Sequence, residues 1–376
     1  MTYRFEQIVN RSDTNSTKWD KYAGRDILPF WVADMDFPAP DFILHAVRQR
    51  LDHPMLGYTE RPQTLTEAFQ GWLVYHYGWN VPEEWIVWLP GVVPGVNMAA
   101  RTLAADAQLL IPTPIYYPFL KLEAHTGRQQ VTVPLTLNHG RWEMDIEQMT
   151  DALTDRVRMV MIANPQNPTG RAYSLAELHA LAEFLQRHDL LLVSDEIHCN
   201  ILLDPDIAHL PIAHVVPDIA HRTVSLFAAT KTYNVPGLSC AAAVIPDAAL
   251  RKKFLATREG LITDPGPLSY VASEAAFNDR SDWLPLMLQQ LRNNLAAVRN
   301  VVGERLTVHE ATYLAWINVR DLQLNDADAY FEGHGLGLST GGQFGDADFV
   351  RFNFACPSQL LDEGLARLER ALKGYR

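Results

Sequence analysis

The chain has 376 residues, of which 32 are lysine or arginine and 44 are aspartate or glutamate, giving a formal net charge of −12 at pH 7. This length predicts two or three domains, and an apolar content of 48% excludes a disordered chain. The negative charge opposes binding to nucleic-acid phosphates and to anionic lipid, so neither is expected as a partner. No apolar run approaches the roughly 20 residues that span a membrane.

Cysteine content and the first twenty residues bear on the compartment. Cys199, Cys240 and Cys356 are too few and too scattered for a disulfide framework or a structural zinc site, and no metal is expected. The polar first twenty residues lack the apolar core of a secretory signal peptide. We therefore expect a reduced, cytoplasmic protein.

Short apolar runs alternate with amphipathic stretches through the middle of the chain. The runs predicted as strands are Ile86–Pro90, Gln108–Pro112, Val157–Ala163, Leu190–Asp195, Thr223–Ala229 and Cys240–Ile245. Several are unbroken, which is typical of a sheet covered on both faces. Capping-box patterns at Thr64–Glu67 and Ser174–Glu177 predict two helix starts. This alternation predicts an α/β fold with a mostly parallel sheet.

The pattern changes from about Ser269. A long helical stretch is predicted from there to about Arg305, with a possible break at Pro285. It is followed by the predicted strands Ala311–Val319 and Phe349–Phe354 and by a closing helix over Leu360–Lys373. We predict three parts: an N-terminal segment, 1–45, that packs with a small α+β domain, 269–376, and a large domain between them, 46–268.

The segment NPQNPTG, residues 164–170, follows a predicted strand and precedes a predicted helix. An ordinary loop would also explain it, because Asn, Pro and Gly are turn formers. In open α/β sheets, however, the loops at the carboxyl ends of strands are where ligands bind. Asn167 held in such a loop offers both a donor and an acceptor, so we predict that it binds a ligand.

Asp195 and Lys231 also stand where apolar strands end. A buried carboxylate needs a partner, so Asp195 either caps the next turn or faces a cationic ligand group such as a protonated pyridine nitrogen. Lys231 alone could be an ordinary exposed lysine. With Asn167, however, these residues end three predicted strands of one sheet and are expected to share a crevice. Desolvation there would lower the pKa of the lysine amine and make it a nucleophile.

Three motifs resemble the cofactor motifs of the fold-type I pyridoxal-phosphate enzymes, the aminotransferase class I/II superfamily: NPQNPTG, SDEIH and ATKTYNVPGL. Four N-terminal segments resemble the MalY/PatB subgroup of cystathionine β-lyases, or C–S lyases: VNRSDTNSTKWD, PFWVADMDFPAP, GYTERP and LPGVVPGVN. The matching segments run from near residue 8 to Arg351. The resemblance implies a large domain, with a mostly parallel mixed sheet between helices, and a smaller α+β domain.

The resemblance also implies roles for individual residues. Lys231 would be the Schiff-base lysine, and Asp195 would pair with the pyridine nitrogen of pyridoxal 5'-phosphate. Asn167 would bond the ring oxygen and help to hold the substrate carboxylate, and Tyr116 would stack on the ring. Arg351 would clamp the substrate α-carboxylate, which suits its planar fork of donors. From the residues alone, a surface ion pair would explain Arg351 equally well.

The phosphate site is implied by weaker signals. GVVPG, residues 91–95, resembles a loop whose backbone N–H groups, those of Val92 and Val93, hold phosphate at a helix N-terminus. Thr230 is a further candidate for the phosphate. Tyr58 would reach the active site of the neighbouring subunit in a homodimer.

The chain also departs from the wider aminotransferase pattern. His198 stands where many relatives have a tyrosine against the ring oxygen, and it could still donate a hydrogen bond there; a loop histidine bound to backbone would also explain it. Ala228 replaces a phosphate-binding serine, and Ser239 replaces an arginine. The phosphate is thus held with less side-chain charge, which weakens a typical transaminase assignment.

The resemblance predicts a pyridoxal-phosphate-dependent carbon–sulfur β-lyase. It would cleave cystathionine or related S-substituted cysteines to a thiol, pyruvate and ammonia. An aminotransferase would use the same residues, and a regulatory protein that binds the cofactor is a third possibility. Four residues of the N-terminal segment either line the substrate mouth or belong to a packed segment: Trp31, Asp34, Met35 and Asp36.

Overall fold

The computed structural model describes residues 3–374. Its α-helices are α1 Asp41–Leu51, α2 Gln63–Tyr77, α3 Val92–Arg101, α4 Tyr117–Leu120, α5 Leu122–Thr126, α6 Ile146–Asp151, α7 Leu175–Arg187, α8 Ile212–Val215, α9 Ala248–Ala256, α10 Pro267–Phe277, α11 Trp283–Val302, α12 Ala327–Gly333 and α13 Ser358–Leu372. Its strands are β1 Leu28–Pro29, β2 Ile86–Leu89, β3 Gln108–Thr113, β4 Gln129–Pro134, β5 Thr136–Asn138, β6 Arg141–Glu143, β7 Val157–Ala163, β8 Leu191–Asp195, β9 Thr223–Phe227, β10 Ala241–Val244, β11 Leu314–Asn318, β12 Leu336–Gly337, β13 Ser339–Thr340 and β14 Phe349–Asn353. Within residues 3–374, no helix is long and apolar enough to cross a bilayer.

A seven-stranded sheet with the order β2-β10-β9-β8-β7-β3-β4 forms the centre of the molecule. β10 runs antiparallel to both of its neighbours, and the pairs from β9 to β4 are parallel. Successive residues of β8 belong to different apolar clusters: Leu192 lies in the cluster that includes Leu181 of α7, and Val193 in the cluster that includes Met98 of α3. The prediction of a mostly parallel sheet between helices is confirmed.

One predicted helix start is confirmed and one is wrong. Ser174 forms a capping box with Glu177 at the start of α7. Thr64 forms none, because α2 begins one residue earlier, at Gln63, directly after Pro62. Pro62 is the N-cap residue and has the extended backbone of that position, with φ −63° and ψ 138°. No side chain caps this helix.

The second sheet has the order β11-β14-β13 and packs near α11 and α13. The long helical stretch is divided, but the break lies between α10 and α11 and not at Pro285. That proline is the third residue of α11, where a missing N–H costs no helical hydrogen bond. The short strands β5 and β6, which form an antiparallel hairpin, were not predicted.

The N-terminal segment crosses to the C-terminal part of the chain. β1 pairs in parallel with β12, and the backbone N–H of Asn353 donates to the carbonyl of Phe30. The Phe30 ring stacks on Phe352 with centroids 4.5 Å apart. We propose that the boundaries between the N-terminal segment, the large domain and the small domain lie at residues 45 and 268.

Candidate active site

A cavity of about 340 Å³ opens at the carboxyl ends of β3, β7, β8 and β9, where parallel α/β sheets bind ligands. Eight of the ten predicted site residues line it: Val92, Val93, Tyr116, Asn167, Asp195, His198, Thr230 and Lys231. Arg351 lies just behind Asn167, and Tyr58 lies elsewhere. The structure thus brings the three strand-end motifs to one crevice.

Asp195 is the last residue of β8 and is 5% exposed. One of its oxygens accepts the backbone N–H of Ile197 at 3.1 Å, so it does cap the following turn. Burial raises the pKa of Asp195 to about 7, with a smaller contribution from the charge of Glu196. Across residues 3–374, no cation lies within ion-pair distance of this carboxylate. A cationic ligand group in the cavity would supply the missing partner.

Lys231 lies in the loop that follows β9 and is partly exposed to the cavity. Its Nζ donates to the backbone carbonyl of Ala33 at 2.6 Å. Burial and the nearby guanidinium of Arg351 lower the pKa of Lys231 to about 8. The lowered pKa makes the neutral amine, which is its nucleophilic and basic form, more accessible near neutral pH.

Asn167 and Arg351 form one recognition unit. The Arg351 guanidinium is 3% exposed and donates to Asn167 Oδ1 at 2.9 Å and to the carbonyl of Trp31 at 2.8 Å. Its Nε has no hydrogen-bond partner among the described residues, and none of their carboxylates pairs with it. The interpretation of Arg351 as a surface ion pair is therefore wrong. A buried guanidinium with donors to spare fits an incoming carboxylate.

His198 and Tyr116 supply the remaining polar wall. His198 Nδ1 is buried without a hydrogen-bond partner among residues 3–374. Burial, with the charges of Lys231 and Arg351, lowers the pKa of His198 to about 3, so the ring is neutral. Burial raises the pKa of Tyr116, so its phenol is also neutral, and its ring meets that of Tyr117 edge-on.

The Asn167 loop is held from two sides. Gln166 donates to the carbonyl of Pro114 and accepts from the backbone N–H of Thr169 at 2.9 Å. Gly170 has φ +74°, and a Cβ there would lie 2.2 Å from Nδ1 of the buried His309. Only glycine therefore fits this position, which explains one element of the motif.

The cavity ends at the N-terminus of α3. Gly91 precedes the helix with φ 152° and ψ 168°, a backbone region that is essentially restricted to glycine. No side chain caps this helix, so its first N–H groups, those of Val92 and Val93, have no intrahelical partner. With Thr230 and Ser239 nearby in the same wall, this end suits an anion.

Tyr58 is not in this cavity. Its side chain is fully exposed and lines a separate surface depression with Arg61, Arg258 and Asp264. Its predicted role in the active site depends on a second subunit, which the chain alone does not test.

Two backbone carbonyls of the N-terminal segment, those of Trp31 and Ala33, accept hydrogen bonds from site residues, and these backbone contacts were not predicted. The Ala33 carbonyl accepts from both Lys231 and the hydroxyl of Tyr313, the latter at 3.0 Å. The side chains of Asp34 and Asp36 form ion pairs with Arg11 and Lys18 and do not line the cavity, which supports the packed-segment interpretation. A backbone acceptor has no residue-type signature, and only the tyrosine could have been suspected.

Residues 25–368 match the model of the family "Aminotransferase class I and II". The chain belongs to this family. Cystathionine beta-lyase PatB of Bacillus subtilis is 33% identical over 98% of this chain and 99% of its own length. A solved structure named OvoB is 40% identical, with a TM-score of 0.96 and complete coverage of both chains. The C–S lyase of Staphylococcus hominis, solved with pyridoxal phosphate, is 29% identical, with a TM-score of 0.93 and coverage of 99% and 98%.

The cofactor of this aminotransferase class I and II chain is pyridoxal 5'-phosphate, and the residues present fit it. Asp195 is a buried carboxylate that needs a cation, as a pyridinium nitrogen would be. His198 offers an unpartnered buried ring nitrogen, and the first turn of α3 offers free N–H groups. Lys231 lies in the same cavity, with its pKa lowered by burial.

Proposed function

We propose that the chain is a carbon–sulfur β-lyase that cleaves cystathionine or related S-substituted cysteines. The observation that carries this proposal is the full-length likeness to cystathionine beta-lyase PatB, combined with a buried Arg351 that has no carboxylate partner in the described chain. Its products are a thiol, pyruvate and ammonia.

In this proposal the substrate α-carboxylate binds Arg351, whose donors are already oriented by Asn167 and by the Trp31 carbonyl. The bidentate match fixes the substrate in one orientation. Tyr116 lines the cavity from the β3 side and would stack on the pyridine ring of the cofactor.

Lys231 takes the proton from the substrate Cα, because its lowered pKa leaves a neutral amine available near neutral pH. With the cofactor bound, Asp195 would hold a proton on the pyridine nitrogen, and His198 would donate to the ring oxygen. Bound pyridoxal phosphate supplies the electron sink for the pair left at Cα. The Cβ–S bond would then break with its electron pair on sulfur, and the proton that Lys231 took from Cα would convert the thiolate to the thiol. Water would hydrolyse the three-carbon remainder to pyruvate and ammonia.

The test follows pyruvate released from cystathionine by the purified protein, with and without added pyridoxal phosphate. Pyruvate should form only with the cofactor and only with Lys231 present, so Lys231→Ala is the control. Holoprotein that transfers amino groups to 2-oxo acids but releases no pyruvate would identify an aminotransferase instead.

We further propose a homodimer in which Tyr58 reaches the partner's cofactor phosphate. Its complete exposure and the depression of about 1120 Å³ beside it support a surface that a second copy covers. Large apolar side chains are exposed in the segment leading to Tyr58: Leu51, Met55 and Leu56.

A further inference from the structure

Directly behind Asp195 lies a buried polar pair that no step above uses. Glu196 is completely buried, and its Oε2 lies 2.8 Å from Nε2 of His209, which is 5% exposed. Asp195 lines the cavity, whereas Glu196, the next residue, does not and contacts His209 instead.

The backbone of Glu196 belongs to the turn that carries both cofactor-facing residues. Its N–H donates to Leu226 of β9 at 2.8 Å, and its carbonyl accepts from Cys199 at 3.0 Å. Asp195 precedes it and His198 follows two residues later. Any rotation of this residue would therefore move both groups.

His209 is the hydrogen-bonding partner of the Glu196 carboxylate, and the neighbouring side chains supply no charge to it. The ring of Tyr77 from α2 packs edge-on against His209, with centroids 5.5 Å apart. Burial raises the pKa of both the Tyr77 hydroxyl and the Cys199 thiol, so neither supplies a charge. Among the described residues, Glu196 Oε1 and His209 Nδ1 have no partner.

A buried polar pair of this kind contributes little to folding stability, because burying the two polar groups carries a desolvation penalty. Two well-packed apolar side chains would fill the same volume without that penalty. Its contribution is instead a directional contact. The 2.8 Å bond joins the end of β8 to the segment that leads to α8, and so restrains the turn from the side opposite the cavity.

We propose that Glu196 and His209 are positioning residues that hold Asp195 and His198 against the cofactor ring. Neither touches the ring. The inference rests on the cofactor site and not on the lyase activity, so its test uses cofactor binding rather than pyruvate. A failure here would therefore leave the proposed reaction standing, and failure of the reaction would leave this inference standing.

The test measures the dissociation constant of pyridoxal phosphate and the pH midpoint of the bound cofactor's visible absorbance. His209→Leu breaks the contact and should weaken binding about tenfold, the size usual when the support of a site ligand is lost. The midpoint should move as well, because the groups at the ring nitrogen and ring oxygen shift. His209→Ala, which leaves room for water, tests the same loss should the leucine variant not fold.

Two conservative variants separate the contact from mere burial. His209→Gln can still donate to the carboxylate, and Glu196→Gln can still accept from the imidazole, so both should bind within about threefold of the unmodified protein. Asn294→Leu is the matched control, since it removes buried hydrogen bonds to Phe354 and Cys356 away from the cavity.

The proposal is supported when only the variants that break the contact lose cofactor affinity and shift the midpoint. It is overturned when His209→Leu or His209→Ala binds the cofactor like the unmodified protein. It is equally overturned when Asn294→Leu weakens binding as much as they do, because the effect would then be one of general stability.

Discussion

At the scale of single residues, burial shifts two opposite charges toward neutrality in one cavity. It raises the pKa of Asp195 to about 7 and lowers that of Lys231 to about 8. Both shifts oppose folding without a ligand, because a buried charge is less stable than a hydrated one. These two residues therefore destabilise the apoprotein, and binding of the cofactor offsets that destabilisation.

Replacing Asp195 by asparagine should make the apoprotein more stable at high pH. The folded pKa of about 7 exceeds the ordinary value of 3.8, so the folded state binds this proton more tightly. Asp195 therefore makes the free energy of unfolding fall as pH rises from about 4 to 7, and its full cost persists above that range. The gain at pH 8 should reach a few kcal/mol, since one pKa unit corresponds to about 1.4 kcal/mol.

Urea unfolding of both apoproteins at pH 5 and pH 8 measures this effect. The difference in unfolding free energy between them should be larger at pH 8 than at pH 5. A pH-independent difference would mean that Asp195 ionises normally in the folded chain.

Arg351→Lys should raise KM for the amino-acid substrate about tenfold to a hundredfold, with a smaller change in kcat. A lysine keeps the charge but loses the planar pair of donors, and a charged hydrogen bond contributes about 1.5 to 3 kcal/mol. Arg320→Lys, at an exposed ion pair with Asp348, is the control and should leave KM unchanged. An unaltered KM in Arg351→Lys would place the substrate carboxylate elsewhere.

At the scale of elements, the position of a buried apolar strand could be predicted from the sequence, whereas an exposed hairpin and the backbone contacts of the site could not. The bounds of β7 were predicted to the residue, because an unbroken apolar run between polar turns has few alternatives. The hairpin of β5 and β6 was missed, because each strand has only three residues and all of β5 is exposed, which leaves little apolar pattern to detect. The contact between Lys231 and the Ala33 carbonyl spans 198 residues and uses a backbone atom, so no local pattern could predict it.

The Asn167 loop should tolerate no side chain at Gly170. Gly170→Ala forces a left-handed backbone, with φ +74°, onto alanine and drives its Cβ into buried His309. We expect a loss of about 2 to 4 kcal/mol in the free energy of unfolding, from backbone strain plus overpacking.

Thermal or urea unfolding checks this, with Gly237→Ala as the control, because a Cβ there meets no atom within 4 Å. Equal stabilities of the two variants would show that His309 moves aside freely. Cofactor affinity should fall with stability only in Gly170→Ala, because Asn167 belongs to the same loop.

At the scale of the whole molecule, the chain leaves Tyr58 and its neighbouring depression uncovered while the cavity lies elsewhere. Such a surface is consistent with the proposed homodimer, where a symmetric interface would bring each Tyr58 to the other cavity. Each active site would then be formed by both subunits. Two variants that inactivate different parts of the site could therefore complement each other in a mixed dimer.

Mixing two inactive variants tests that sharing. Lys231→Ala and Tyr58→Ala homodimers should each lose most of their activity, but exchanged subunits should recover about one quarter of the sites, since half of the dimers would carry one intact site. Pyruvate release after mild unfolding and joint refolding measures the recovery. Activity no higher than the sum of the parents would argue that Tyr58 acts within its own subunit or not at all.

The crossing of the N-terminal segment onto β12 and β14 also has a consequence for biosynthesis. Arg351 and its acceptor at Trp31 are separated by 320 positions, and Asn353 binds the carbonyls of Val32 and Asp34. During synthesis the segment around Trp31 is made long before β14, which supplies Arg351 and Asn353. The contacts that anchor this segment therefore form only after β14 has been made, and the cofactor site of a nascent chain is incomplete until then.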